Sequence, residues 1–391
     1  MRINGLKISG IGGIQELSLT FNPGFNAICG PNGIGKTTIL MIIANAFASN
    51  SALLKRNAKH EEGNYSIQYF DLSGTYVNKN VKVLEFEPQR QSEELHVSNE
   101  TPYIMHFKES REINYSNLQS VPRDVNSNKY SIASELEQGI SVANMKGWFD
   151  NRCLFGALDN SLSEVQLSNL ELAKKSFSIL DPTIEFKTVD SRTLDIILSS
   201  RNGDIYFEYL SAGYKSCIYL IMGLIKEIEY RFDKECMKAD EFDGVVLIDE
   251  IDLHLHPTWQ ARLVEALKML FPRVQFITTT HSPSVLQTLK KEEIIPLTQD
   301  DKGNVFVKEL SLSEYGLQGW SIEEILRDVM EMPETTSKLY EETKRTFEEA
   351  MNKEDIETAK NSYELLIKML HPNSIVRKLL NIQIAGLGEE E

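Results

Sequence analysis

The sequence predicts an α/β protein in which a core of buried strands and flanking helices is divided by an α+β insertion and followed by a C-terminal helical region. Three observations carry that prediction. A glycine-rich stretch, "GPNGIGKT", stands between a strand-like run and a helix-like run within residues 24–48. Two apolar runs, "GVVLID" at 244–249 and "VQFITTT" at 274–280, have the length and composition of strands buried on both faces of a parallel sheet. Each of these runs ends in side chains with chemistry: an acid pair after the first, a histidine after the second.

Taken in order, residues 1–50 alternate β-like runs (2–10, 14–21, 24–30) with turns, then pass through the glycine loop into an apolar helix pattern at 37–48. Residues 51–206 are looser and more polar, with strand candidates at 66–72, 81–86 and 103–106 and a helical stretch from about 132 to 180. They read as an insertion. The core resumes over 207–320 with a helix whose Cys217, Leu220, Ile221, Leu224, Ile225 and Ile228 recur at the three-and-four spacing of one buried face. Ser211 is placed to cap that helix, and Gly213 stands where a better helix former would serve. A helix at 259–270 and strands at 294–297 and 305–309 complete the core. Residues 321–391 carry helix patterns at 322–330, 336–351, 354–370 and 375–384. The apolar stripe Ile356, Ala359, Tyr363, Leu366, Ile367 and Leu370 is read as core packing, with a docking surface as the alternative.

Composition sets the class. With 41% apolar and 25% charged residues the chain is of globular type, and its net charge of −16 argues against a surface that coats nucleic acid. No apolar run approaches the roughly 20 residues that span a bilayer, and the N-terminus lacks a signal-peptide core, so the expected location is the cytoplasm, away from membranes. Four scattered cysteines without a CxxC pair read as reduced structural thiols.

The stretch from Gly30 to Thr37 fits G-x-x-x-x-G-K-[ST]. Triphosphate binds against backbone N–H groups, so Gly30, Gly33 and Gly35 keep Cβ atoms out of the way, and the following helix directs its positive end at the anion. The expected nucleotide-binding set is Gly30, Asn32, Gly33, Gly35, Lys36, Thr37 and Thr38, with Lys36 on the β/γ-phosphates and Thr37 on Mg²⁺. Asp249 and Glu250 follow the first buried run, at the sheet edge where α/β proteins bind ligands. Asp249 suits a Mg²⁺ ligand and Glu250 a general base for the attacking water of ATP hydrolysis. Asp252 reads as structural or capping. "HLHP" at 254–257 offers two histidines without an evident third ligand, so no zinc site is expected, and Pro257 suits a helix first turn. His281, after the second buried run, is positioned to meet a γ-phosphate.

The order of glycine loop, "LSAG", "LIDE" and "TTTHS" resembles the ABC-class ATPases, in the branch with SMC, RecF and OLD-like proteins. Across nearly the whole chain it is most similar to compact bacterial ATPases of anti-phage defence operons, the Septu type. The resemblance implies an ABC-type P-loop core, a mixed sheet with flanking helices. It also implies a head-to-tail homodimer or higher even oligomer in which Ser211 and Gly213 touch the γ-phosphate bound by the other subunit. Glu250 would then be the base and His281 the switch histidine. "LSAGYKS" departs from the transporter signature at Ala212 and Tyr214, and His256 stands where the family usually has an aspartate. No Q-loop glutamine is assigned; Gln68, Gln89 and Arg111 are the candidates. The tail lacks the acidic cluster of an OLD-type nuclease, so cleavage would belong to a partner, and Septu-like ATPases work with an HNH nuclease. The function implied is a nucleotide-driven dimerisation switch in anti-phage defence. The alternative is a RecF- or SMC-like DNA clamp in repair, for which "LLKRNAKH" at 53–60 is the one compact basic cluster.

Overall fold

The computed structural model describes residues 1–49, 54–87, 96–109, 118, 120–124, 127–142, 144–232, 234, 237–332 and 336–386. Gln89, Arg111 and Cys236 lie outside them. The described chain forms two compact units, Met1–Ile325 with Val329–Glu331, and Leu326–Asp328 with Met332–Glu391.

The first unit starts with β1 (Arg2–Ile11), β2 (Ile14–Thr20) and β3 (Phe25–Cys29), followed by α1 (Lys36–Phe47). Next come β4 (Ala48–Ser49), β5 (Gly63–Phe70), β6 (Tyr76–Val83), β7 (His96–Val97) and β8 (Ile104–Phe107). Strands β2-β1-β5-β6 form an antiparallel sheet. Three helices follow, α2 (Lys129–Gln138), α3 (Met145–Gly156) and α4 (Glu164–Leu180), and then a three-stranded meander, β9 (Glu185–Val189), β10 (Ile196–Ser200) and β11 (Gly203–Tyr206). The meander is absent from the sequence reading. Its outer strands β9 and β11 are short, polar and largely exposed, and the apolar part of β10 is only three residues, Ile196 to Leu198, too brief to mark a strand.

The remaining elements of the unit are α5 (Ala212–Arg231), β12 (Val245–Ile248), α6 (Pro257–Leu270), β13 (Gln275–Thr279), α7 (Pro283–Leu286), β14 (Ile294–Gln299) and β15 (Val305–Val307), leading into α8 (Ile322–Asp328). The central sheet has the order β15-β14-β3-β13-β12-β8. It is parallel except for the antiparallel edge pair β14–β15, so it is mixed, as expected. Strands β3, β12, β13 and β8 are buried along their whole length, which is why none of them alternates apolar with polar residues as a half-exposed strand does; β12 is apolar throughout, and the others bury Asn26, Gln275, Thr278, Thr279 and His106.

Two strands of the antiparallel sheet and one of the central sheet come from the stretch that the sequence reading gives to an insertion. Residues 63–83 and 104–107 are therefore core, and the interruption is shorter than 51–206. Pattern alone hid this because β6 is half-exposed and reads as polar. Helix α1 shares one apolar cluster with both sheets: Ile39, Leu40, Ile42 and Ile43 pack with Leu6, Ile8 and Ile67 and with Val245, Leu247 and Ile277. A helix covered on both sides needs apolar residues all round, and α1 has them. In α5, all six of the residues at three-and-four spacing are buried.

In the second unit, α9 (Lys338–Asn352), α10 (Ile356–Met369) and α11 (Ile375–Gly386) close around Phe347, Ala350, Ala359, Leu366 and Leu380. Tyr363 and Leu370 pack against that cluster, while Ile356 is exposed, so most of the α10 stripe is core. Among the described residues, no helix is long and apolar enough to cross a membrane.

Candidate functional site

The parallel register brings the ends of three neighbouring strands together. Strand β13 lies between β3 and β12, pairing Thr279 with Ile28 and Thr278 with Ile248. The glycine loop after β3, the acids after β12 and the histidine after β13 therefore emerge at one edge.

In the glycine loop, Gly33 and Gly35 have φ of +76° and +103°, left-handed conformations that a side chain strongly disfavours. Gly30 is required by close approach, since a Cβ there would stand 2.3 Å from the Leu297 carbonyl oxygen of β14. Gly35 is the residue before α1, and it provides no side-chain cap, which leaves first-turn amides for an anion. Lys36 is buried and donates to the Gly30 and Pro31 carbonyls at 2.9 and 2.8 Å. Burial pulls its ammonium down to about 8, against the opposing influence of Cys29, Glu250, Asp249 and Asp252. Asn32 and Gly33 are exposed on the loop, Thr37 is exposed in the first turn of α1, and Thr38 is half-buried beside Gly12.

Thr37 and Asp249, far apart in sequence, meet at 3.2 Å from Oγ1 to Oδ1. A hydroxyl and one buried carboxylate are a donor set that suits Mg²⁺, which is typically held by one or two carboxylates together with substrate phosphates. Thr279 organises the acid turn: its hydroxyl donates to Asp249 Oδ1 at 2.5 Å and accepts from the Glu250 N–H at 2.7 Å. Glu250 itself has φ of +47°, and His254 has φ of +61°. Two non-glycine residues in the left-handed region within five positions are a concentration of backbone strain of the kind found at working sites.

His281 follows β13 and is half-buried. Burial first, and Lys36 second, lower its pKa below the ordinary histidine value, against the opposing influence of Asp252 and Asp249. Its backbone N–H donates to Asp252 Oδ1 at 3.2 Å, and the neighbouring Thr280 hydroxyl donates to the same oxygen at 2.6 Å. Neither Thr279 nor Thr280 stands out in the sequence. The run "TTT" was the available signal, but β-branched residues in a strand are ordinary on propensity alone.

Ser211 caps α5, accepting from the Tyr214 N–H at 3.3 Å, and is exposed. Gly213 is buried with an ordinary backbone, and a Cβ there would lie 2.8 Å from Cδ1 of Trp259 on α6. The structure thus gives this glycine a packing role within the chain. Trp259 also stacks edge-on against Tyr214, with centroids 5.1 Å apart. His256 caps α6 and Pro257 is its first residue; His254 and His256 are both exposed. Gln68 lies on β5 against Gly5, in the antiparallel sheet. In the basic stretch, Arg56 donates to the His60 carbonyl and covers the Phe86 ring at 4.8 Å.

Comparison with known proteins places the chain among ATPases. A family model described as "AAA domain, putative AbiEii toxin, Type IV TA system" matches residues 82–287, and one described as "AAA domain" matches residues 5–141. The Septu protein PtuA of Bacillus thuringiensis is 44% identical over 390 residues, covering 99% of this chain and 98% of that protein. The Retron Ec83 probable ATPase of Escherichia coli is 29% identical over 198 residues, 50% of this chain and 36% of that protein. Among solved structures, the SMC head domain from Thermotoga maritima aligns with a TM-score of 0.44 at 15% identity, over 80% of this chain and 100% of that one.

Proposed function

The chain belongs to the Septu PtuA family of AAA-domain ATPases, and from that premise we propose that it is a nucleotide-driven dimerisation switch which controls a partner nuclease in anti-phage defence. It is an ATPase. The observation that carries the mechanism is the convergence of Lys36, Thr37, Asp249 and the Glu250 turn at one sheet edge, with Thr37 Oγ1 and Asp249 Oδ1 3.2 Å apart.

In this reading the glycine-loop amides and Lys36 hold the β- and γ-phosphates of ATP, and Gly30, Asn32, Gly33, Gly35 and Thr38 line the loop around them. Thr37 and Asp249 hold Mg²⁺, which when bound neutralises charge on the β/γ oxygens. Glu250 orients the attacking water and accepts its proton. His281 donates a ring N–H to the γ-phosphate, and departure of that phosphate on hydrolysis removes the bond. Ser211 and the first turn of α5 contact the γ-phosphate held by a second copy: the Ser211 hydroxyl caps one amide of the turn, and the helix start directs its remaining first-turn amides and its positive end outward. Gly213 enters only through its amide, its α-carbon face being covered by Trp259. Two ATP molecules would therefore be shared by two chains, and hydrolysis would release the pair. An HNH-type nuclease is the preferred effector, with DNA as a further partner and the cytoplasm as the compartment.

The test is the state of the protein with ATP and Mg²⁺. Glu250→Gln should lower hydrolysis by about 100-fold or more, the scale of a general base, while holding the dimer in light scattering or sedimentation. Adding Ser211→Arg to that variant should leave ATP bound by single subunits and abolish pairing. A Glu250→Gln protein that hydrolyses normally or never pairs would sink the proposal.

A further inference from the structure

The strongest feature outside these assignments is Asp252, which the sequence suggested only as a structural or capping residue. Its Oδ1 accepts from the Thr280 hydroxyl at 2.6 Å and from the His281 N–H at 3.2 Å. Asp252 belongs to the strained turn that begins at Glu250, and Thr280 and His281 belong to the loop after β13. One carboxylate oxygen thus ties together the two loops that carry the proposed base and the proposed phosphate contact. A second tie runs alongside. Gln260 on α6 is buried, donates to the Asp252 and Leu255 carbonyls at 3.3 and 2.9 Å, and accepts from the Ser282 hydroxyl at 2.5 Å.

We propose that Asp252 is a positioning residue for hydrolysis. It holds the His281 backbone at a set distance from the Glu250 turn, so that the two side chains approach one phosphate from fixed directions. The physical need is clear. Catalytic alignment is sensitive to displacements of about 1 Å, and past the last backbone bonds, Ile251 N–H to the Thr279 carbonyl at 3.0 Å and Thr280 N–H to the Ile28 carbonyl at 3.1 Å, the Asp252 carboxylate continues the tie as far as His281. Thr280, fully buried, and the backbone N–H have a geometric requirement for an acceptor, which a neutral amide oxygen would also satisfy. The inference rests on the roles given above to Glu250 and His281.

The experiment compares Asp252→Ala, Asp252→Asn and Thr280→Val in the full chain, with steady-state hydrolysis and titration of a fluorescent ATP analogue. Asp252→Ala should lower kcat by roughly 10- to 100-fold and leave nucleotide affinity within about threefold. Asp252→Asn, which keeps the acceptor, should restore kcat to within about threefold, and Thr280→Val should lose less than Asp252→Ala. The double variant Asp252→Ala/His281→Ala should lose no more than His281→Ala alone, because the two act through one contact. The inference is overturned if Asp252→Asn is as slow as Asp252→Ala, if Asp252→Ala keeps its full rate, or if the double variant is additive. A fast Glu250→Gln or His281→Ala would instead overturn the reading on which it rests. If Asp252→Ala does not fold, an Asp252→Asn protein more than about tenfold slower than wild type overturns the inference.

Discussion

The glycine loop and the turn before α5 both begin a helix, both carry glycine, and both match a phosphate-binding pattern. Their glycines nevertheless answer to different neighbours. In the loop, Gly33 and Gly35 are held at positive φ, so the backbone itself excludes other residues. In the turn, Gly213 has an ordinary backbone and is excluded from growing by the Trp259 indole. Ser211 likewise has a local reason, the cap on α5. A motif whose backbone could serve only an unusual purpose identifies a site within one chain. A motif whose residues are each explained by packing needs the second copy to show its other purpose.

Three changes would break or sharpen this contrast. The largest effect belongs to the loop. Lys36→Ala should weaken ATP binding by about 100-fold, near 3 kcal/mol, with the fold intact; calorimetric titration giving wild-type affinity would undo the assignment. Next is Gly213→Ala, where the added Cβ overpacks against Trp259 at a cost of about 1–3 kcal/mol. Its melting temperature should fall without nucleotide, and adding Trp259→Leu should recover part of the loss. If Gly213→Ala melts like wild type and fails only in pairing, the glycine serves the partner's phosphate instead.

The smallest effect lies under the same turn, in a cluster that supports it. Lys146 of α3 donates to Asp195 at 2.7 Å and to Glu208 at 2.8 Å, and Glu208 stands three residues before Ser211. Asp150, on the same helix, is fully buried with neither carboxylate oxygen hydrogen-bonded. Burial pushes its carboxyl up to about 7, Lys146 opposes that, and Glu208 and Asp195 reinforce it. Because the folded value exceeds the unfolded one, the stability attached to this carboxyl is present below about pH 4 and lost as the pH rises to 7. Asp150→Asn should therefore stabilise by about 2 kcal/mol at pH 8 and make no difference near pH 4. Thermal melts at the two values would show it, and a gain confined to low pH would contradict the sign.

Much of the candidate site was legible because each piece is a short pattern with a local cause. "GPNGIGKT" needs left-handed glycines, and "VVLID" and "FITTTH" are buried strands with polar ends. The helix before the acids was legible from spacing and from a serine cap. The pieces that escaped depend on neighbours. Asp252 and Thr280 look ordinary in the sequence and gain meaning only because β12 and β13 are adjacent. Strands β5 and β8 read as an insertion because they join the core through β1 and β12, which lie in other parts of the chain, and β6 follows β5. In the meander the outer strands β9 and β11 have too little burial to leave a pattern, and the apolar run of β10 is only three residues long.

The sequence by itself determined the chemistry of this protein: a phosphate loop, an acid pair, a histidine and a capped helix, each encoded within about eight residues by backbone preference and burial. Tertiary structure decided which of them meet. The order β3-β13-β12 brings Thr37 against Asp249 across 212 positions of chain and ties Asp252 to the His281 backbone. It also placed Trp259 over Gly213. Sheet order follows from how whole layers pack, and no local period of side chains carries that information.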